Sequence, residues 1–339
     1  QVVSMLPNDA SKVVFLGGLS DVDDDRQATK INYDAFAVAQ ALAPNLAHTG
    51  GIFVTVQDTG GRFGIGGLDP KRAWLAGLPG LIKTAAQEWP LASLKSIDIE
   101  CTDRSNVSVA TAILDELTRG GPELEVGLDA NGVRRTLRST AAPVTRGTPL
   151  IQHGDVVLVS GGGRGVTAAA IISWAKECQA TFILLGRTPL TDEPACCVGV
   201  EGDASLKGAL FTQAKVQGEQ LSIEQIGRTV KRVLANREIR STIAAIKSTG
   251  GNAEYMAVSV TDTAALSNAC QNIRDSHGAI SGIIHGAGVL ADKLILQKTT
   301  DQFQRVFDTK VEGLRALLNV TKEDPLRVIA MFSSVAARC

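Results

Sequence analysis

The sequence predicts an α/β fold: two tandem Rossmann-like subdomains with parallel sheets, over residues 1–150 and 151–339. Three observations predict it. Short aliphatic runs alternate with longer segments whose apolar residues recur every three or four positions, the rhythm of strand–helix–strand crossovers. That rhythm stops across 141–154, where Pro143, Gly147 and Pro149 fall, and then restarts. Hydrophobic residues make up 44% of the 339 residues and aromatics only 4%, with 34 glycines, so the cores must be packed from Ala, Val, Ile and Leu. The length is about 2.3 times that of a ~150-residue domain, in keeping with two units.

In the first half, 13–16 (Val-Val-Phe-Leu) reads as a strand that stops at Gly17-Gly18. Phe36, Ala39, Ala43 and Leu46 share one helical face and predict a helix over 33–46. A strand over 52–56 leads into a glycine-rich loop over 60–67. A helix over 75–88 is closed by Trp89-Pro90, since proline cannot continue it. A strand over 94–99 and a helix over 107–117 follow, the helix ended by Gly120-Gly121. Two strands, 124–128 and 133–137, flank Asn131-Gly132, residues that readily take the positive φ of a hairpin turn.

The second half repeats the pattern. Strand 155–160, a glycine turn, helix 167–178 and strand 181–186 make the first crossover, and a long insertion runs from Thr188 to about Gln220. Two helical segments over 223–248 are stopped by Gly250-Gly251. Strand 253–258, helix 263–277, strand 282–285, helix 300–320 and strand 326–332 complete the run. Strands joined by helices of this length imply right-handed crossovers and parallel pairing.

Composition excludes several function classes. Lys and Arg number 34 against 35 Asp and Glu, a net charge of −1, whereas a nucleic-acid binder would be basic. No apolar run approaches the ~18 residues that span a bilayer, and the N-terminus lacks a secretory signal pattern. The six cysteines (Cys101, Cys178, Cys196, Cys197, Cys270, Cys339) have no metal-ligand spacing, so they read as reduced thiols of a cytoplasmic protein, and no metal site is expected. Asp23-Asp24-Asp25 reads as a solvated acidic loop. The chain begins with Gln1 and ends at Cys339, just after a strand-like stretch, and is expected to be a piece of something larger.

The residues that carry chemistry cluster in the second half. Ser160-Gly161-Gly162-Gly163-Arg164-Gly165-Val166-Thr167 follows an apolar strand and opens a helix. In that context Gly161 permits the tight turn, while Gly163 and Gly165 let backbone N–H groups approach a pyrophosphate at the positive helix end. The strict GxGxxG pattern fails at Val166. The next strand ends in Arg187-Thr188. An NAD enzyme places Asp or Glu there for the ribose 2′-hydroxyl, so Arg187, with Arg164 in the turn, favours a 2′-phosphate and hence NADPH. The loop over 60–67 also follows a strand, but Asp69-Pro70 interrupts the path to the next helix, so it reads as a mobile surface loop. His285-Gly286-Ala287-Gly288 puts a second small-residue turn at a strand end, where a nicotinamide ribose would approach backbone. His285 itself reads as a packed strand-end histidine. Lys310 falls in the following helix and Ser333-Ser334 at the end of the last strand, at the crevice edge.

Together these stretches resemble a known family. Ser160–Thr167, Leu185-Gly186-Arg187, His285 through Asp292, Thr309-Lys310-Val311-Glu312-Gly313 and Phe332-Ser333-Ser334-Val335-Ala336 look like ketoreductase domains of modular polyketide synthases, within the short-chain dehydrogenase/reductase superfamily. The closer likeness is to the ketoreductase of polyunsaturated-fatty-acid synthases, shared by Arg237-Glu238-Ile239-Arg240-Ser241-Thr242 in the insertion and by Thr167 at the final glycine position. Residues 71–137 resemble the family's non-catalytic structural subdomain, notably Leu78-Pro79-Gly80-Leu81 and Glu88-Trp89-Pro90. The resemblance implies that 1–150 is structural and that 151–339 binds NADPH and is catalytic.

It also implies a reaction: hydride transfer from NADPH to the β-carbon of a 3-oxoacyl chain on acyl carrier protein, giving the 3-hydroxyacyl product, inside a cytoplasmic multienzyme. Ser334 would hydrogen-bond the ketone oxygen, and Lys310 would support a proton-donating Tyr. The cofactor set is Ser160, Gly161, Gly163, Arg164, Gly165, Val166, Arg187, Val260, His285, Gly286, Ala287 and Gly288. The family's Tyr lies about thirteen positions after the Ser, beyond Cys339, and the chain's own tyrosines, Tyr33 and Tyr255, do not match it. The second half is therefore expected to be C-terminally incomplete, the alternative being a catalytically inactive reductase-like scaffold module of a synthase. Leu290-Ala291-Asp292 partly matches the family's Leu-Asp-Asp signature and leans toward a 3R product.

Overall fold

The computed structural model describes residues 3–7, 9–67, 69–143 and 147–334. Val335 and Ala336 of the last motif, and Cys339, lie outside the described residues. The chain forms two compact units, Gln1–Val144 with Ala291–Gln304 and Ser333–Cys339, and Thr145–Leu290 with Arg305–Phe332. The first unit thus recruits two segments from the second half of the sequence. In one of them the backbone N–H of Ile295 donates to Glu88 Oε2 at 2.8 Å, a pairing no local pattern announces.

In the first unit, β1 (Lys12–Gly18), β2 (Gly51–Gln57), β3 (Ala92–Ile99) and β4 (Glu125–Leu128) pair in parallel in that order. β5 (Arg134–Arg135) closes the edge antiparallel to β4. Successive strand residues face opposite sides. Phe53 therefore packs with α1 (Asp25–Thr49) and α2 (Gly77–Glu88), while Val54 and Val56 pack against α3 (Asn106–Arg119). α1 starts two turns earlier than its apolar periodicity predicts. Asp24, within the acidic run, is its N-cap: its side chain accepts from Gln27 N at 2.7 Å, and Asp25 sits in the positive first turn.

The second unit is a parallel sheet in the order β10-β9-β6-β7-β8. Its strands are β6 (Val156–Ser160), β7 (Thr181–Gly186), β8 (Asn252–Ala257), β9 (Ile280–His285) and β10 (Val328–Met331). α4 (Gly165–Cys178) and α6 (Ile223–Ser248) cover one face; α7 (Thr263–His277) and α8 (Thr300–Val320) cover the other. Chain order reverses between β6 and β9, so the crevice for a ligand opens above their carboxyl ends.

Two expectations change here. The insertion after Thr188 contains a helix, α5 (Asp203–Gln217), and 223–248 is one helix rather than two. α6 opens with a capping box, Ser222 Oγ accepting from Gln225 N and Gln225 Oε1 from Ser222 N. Its polar middle stays helical because Asn236 Nδ2 donates to Thr191 O at 3.2 Å, while Arg237 Nη1 holds Val200 O at 2.7 Å and its guanidinium pairs with Glu193. The inserted loop thus wraps onto α6 instead of splitting it. Among the described residues no helix is long and apolar enough to cross a membrane.

Candidate functional site

The glycine turn after β6 is fixed on both sides by the neighbouring strand ends. Gly161 N donates to Leu185 O at 2.8 Å, and Gly286 N to Ser160 O at 2.9 Å. Gly161 has φ +72°, and a Cβ there would stand 2.8 Å from Ala287 N, so conformation and space both require glycine. Thr167 occupies the position where the motif ends in glycine. The room is returned across the crevice: a Cβ on Gly286 would stand 2.4 Å from Thr167 Oγ1.

Ser160 and His285 form the buried support of this turn. Ser160 Oγ lies 2.7 Å from His285 Nδ1, and His285 Nε2 lies 3.0 Å from Lys310 O. A carbonyl only accepts, so Nε2 carries the proton, Nδ1 accepts from the Ser160 hydroxyl, and Ser160 Oγ in turn accepts from Ala287 N at 3.2 Å. That assignment requires a neutral imidazole. Burial, together with the nearby Lys310 charge, holds His285 below its ordinary 6.5. The backbone turn and the helix that carries Lys310 are therefore joined by one side chain.

Lys310 Nζ donates to Phe332 O at 3.0 Å, and burial lowers its pKa. Its Cε passes 3.3 Å from where a Cβ on Gly288 would stand. The amine is thus held between the β9 turn and the end of β10.

A crevice of about 650 Å³ opens at this edge. Its lining includes Gly161, Gly163, Arg164, Arg187, Val260 and the turn Gly286-Ala287-Gly288. The structure thus brings together most of the residues the sequence singles out. Ser160 and His285 sit beneath the crevice rather than in it, their polar atoms spent on each other, on Ala287 N and on Lys310 O. Gly165 and Val166 begin α4 beside the crevice, with Val166 78% exposed. Ser334 lines a different cavity, of about 810 Å³ in the first unit, with Gln57, Thr59, Lys83 and Glu125.

Several lining residues are not among the site residues the sequence singles out, although Tyr255 is expected on the adenine side. Tyr255 forms a wall: its hydroxyl donates to Thr188 O at 2.8 Å, and burial keeps the phenol above its ordinary 10. Ser259 and Thr261 follow the carboxyl end of β8, a position that the expected strand 253–258 already marked. Arg305, Asp308 and Thr309 also line the crevice, and their spacing along α8 puts them on one helical face. Among the described residues the charged lining is Arg164, Arg187 and Arg305 against Asp308, an excess of positive charge that suits an anionic ligand.

The glycine loop of the first unit is different. Asp98, almost wholly buried at the end of β3, accepts from Thr59 N and Phe63 N, both at 2.6 Å. The loop is pinned to the chain's own carboxylate. Burial raises the pKa of that carboxyl, opposed by these two amide bonds. Among the described residues no cluster of His, Cys, Asp and Glu is suited to a metal ion.

Comparison with known proteins agrees with this architecture. The family model for the KR domain matches residues 155–339. A polyunsaturated fatty acid synthase polypeptide of Thraustochytrium sp. is 33% identical over 300 residues, covering 84% of this chain and 11% of that protein. Polyketide synthase PksM of Bacillus subtilis is 35% identical over 102 residues, 30% of this chain and 2% of that protein. The chain therefore spans a small fraction of these relatives. Among solved structures, the PlmKR1 ketoreductase from the first module of phoslactomycin biosynthesis in Streptomyces sp. HK803 aligns with a TM-score of 0.67 at 21% identity, over 98% of this chain and 64% of that one. A ketoreductase domain from the bacillaene assembly line aligns with a TM-score of 0.63 at 21% identity, over 94% and 62%. With the family model covering more than half of the sequence, the chain belongs to the KR domain family of ketoreductases.

Proposed function

We propose that this domain carries out the NADPH-dependent reduction of a 3-oxoacyl group, held as a thioester on acyl carrier protein, to the 3-hydroxyacyl product within a multienzyme synthase. The observation that carries the reading is the pair Arg187 and Arg164 lining one crevice at the sheet's switch point. A carboxylate after β7 would favour the ribose diol of NADH; two guanidiniums favour the extra phosphate of NADPH. The residues fit that cofactor: the turn at Gly161 and Gly286 is too tight for side chains, and the charged lining is mainly cationic. Bound there, NADPH would supply the hydride.

The chain's own residues would do the rest. Gly161, Gly163 and the start of α4 would hold the pyrophosphate, and Gly286–Gly288 would leave room for the nicotinamide ribose. Ser334, which the resemblance would set at the ketone oxygen, lines the first unit's cavity instead and is given no part at this crevice. Lys310, held at Phe332 O, would place a cation near the proton donor and favour its ionised form. The test is NADPH oxidation by the complete parent protein with 3-oxoacyl thioesters of several chain lengths. Binding of NADPH without turnover at any length would instead favour the scaffold reading.

Lys310→Ala should lower kcat about 100-fold or more while leaving the Kd of NADPH within about threefold, as expected of a group acting in the transition state. Steady-state kinetics and a fluorescence titration of the variant check this. A loss confined to cofactor affinity would remove Lys310 from the chemistry.

A further inference from the structure

We propose that the Glu238 carboxylate holds the place of a cofactor phosphate at the head of α4 and must swing away when the pyrophosphate binds. The inference rests on the cofactor reading above and adds a residue that opposes binding. The first amide of α4, Gly165 N, donates to Glu238 Oε1 at 3.0 Å. Arg164, the N-cap, makes no side-chain capping bond, so this carboxylate is the anion that the helix N-terminus has found. A helix start carries about half a positive charge and free N–H groups, and a carboxylate and a phosphate compete for both.

The neighbouring contacts fix where Glu238 stands. One turn on, Thr242 Oγ1 donates to Gly163 O at 3.0 Å, and the buried Ile239 packs against Gly163, its Cγ1 3.1 Å from where a Cβ would stand. Glu238, Ile239 and Thr242 lie on one side of α6, so the helix is tied to the glycine turn by its backbone-facing contacts. Glu238 itself is exposed. Its release needs only a side-chain rotation, while Ile239 and Thr242 keep α6 in place. Arg164, one residue before the capped amide, lines the crevice, so a bound pyrophosphate at the turn would meet the carboxylate charge directly.

Glu238→Ala should tighten both NADPH and NADH by about three- to tenfold at low salt, since the pyrophosphate is common to both. Glu238→Gln, which still accepts from Gly165 but carries no charge, should fall between the two. Fluorescence titrations of the full chain measure these affinities, and the Gly165 amide resonance reports directly on the contact. That resonance should shift in Glu238→Ala, and in the wild type it should move on addition of NADPH.

Inorganic pyrophosphate is the second probe, because it needs neither Arg187 nor the nicotinamide end. It should also bind Glu238→Ala more tightly than wild type. Equal or weaker binding of dinucleotides and pyrophosphate by Glu238→Ala would overturn the inference and leave the cofactor reading intact. So would a gain confined to NADPH, which would put the competition at the 2′-phosphate. Failure of the wild type to bind either dinucleotide, with the pyrophosphate gain still present, would sink the cofactor reading and not the role of Glu238.

Discussion

Replacing Arg187 by Asp is expected to raise the Kd for NADPH about 100-fold or more and to change that for NADH by less than about threefold. Arg187 stands at the carboxyl end of β7, exposed at the rim of the crevice with Arg164 nearby. A guanidinium–phosphate contact is among the stronger hydrogen-bonded pairs, and reversing its charge adds repulsion. At about 1.4 kcal/mol per tenfold, a loss of ~2.7 kcal/mol corresponds to 100-fold. NADH has no 2′-phosphate, and the new carboxylate can accept from its ribose hydroxyls, so its affinity should hold or improve. Because the rim is exposed, the NADPH penalty should shrink as salt rises. Parallel titrations with both cofactors at low and high ionic strength give all four numbers. Equal losses for the two dinucleotides would remove the 2′-phosphate from this corner.

The second large effect is on stability. His285→Phe keeps a ring of similar size but deletes the acceptor for the Ser160 hydroxyl and the donor to Lys310 O. Two buried polar groups lose partners, at about 1–3 kcal/mol each. We expect a loss of roughly 2–4 kcal/mol, seen as a fall of about 5–12 °C in Tm for a unit of this size. His285→Gln can still reach Lys310 O and should lose about half as much.

The pH dependence has a definite sign. Unfolded, His285 takes up its proton near 6.5; folded, burial holds its pKa lower. The stability from the neutral ring is full above about pH 6.5 and is lost as pH falls toward the folded value. The gap between wild type and His285→Phe should therefore narrow between pH 7.5 and 5.5. A gap below ~0.5 kcal/mol at pH 7.5, or one that widens toward acid, would contradict the bonding pattern.

Much of this was legible in the sequence, for reasons that differ from residue to residue. The strands and the glycine turn were readable because aliphatic runs and positive-φ glycines are local signals. Arg187 was readable because a strand end fixes where its side chain emerges. The Ser160–His285 bond was not, because the two residues are 125 positions apart and meet only when β6 and β9 become neighbours. α5 escaped because it buries only Leu206, Leu210 and Ala214, too narrow a stripe to stand out. The unbroken α6 escaped because polar contacts from the inserted loop, not apolar period, satisfy its middle. Arg305 and Asp308 sit on a helix, where nothing local says which face meets a crevice.

Asp98 occupies, in the first half, the amides that a glycine turn would otherwise offer to a ligand. Both halves of the chain place glycines after a parallel strand, and a count of such turns would suggest two equivalents of dinucleotide per polypeptide. In the first half the amides at Thr59 and Phe63 are already taken by an internal anion, so on the proposed cofactor reading the chain is expected to bind one equivalent. The second β/α sheet thus comes without a second open anion turn.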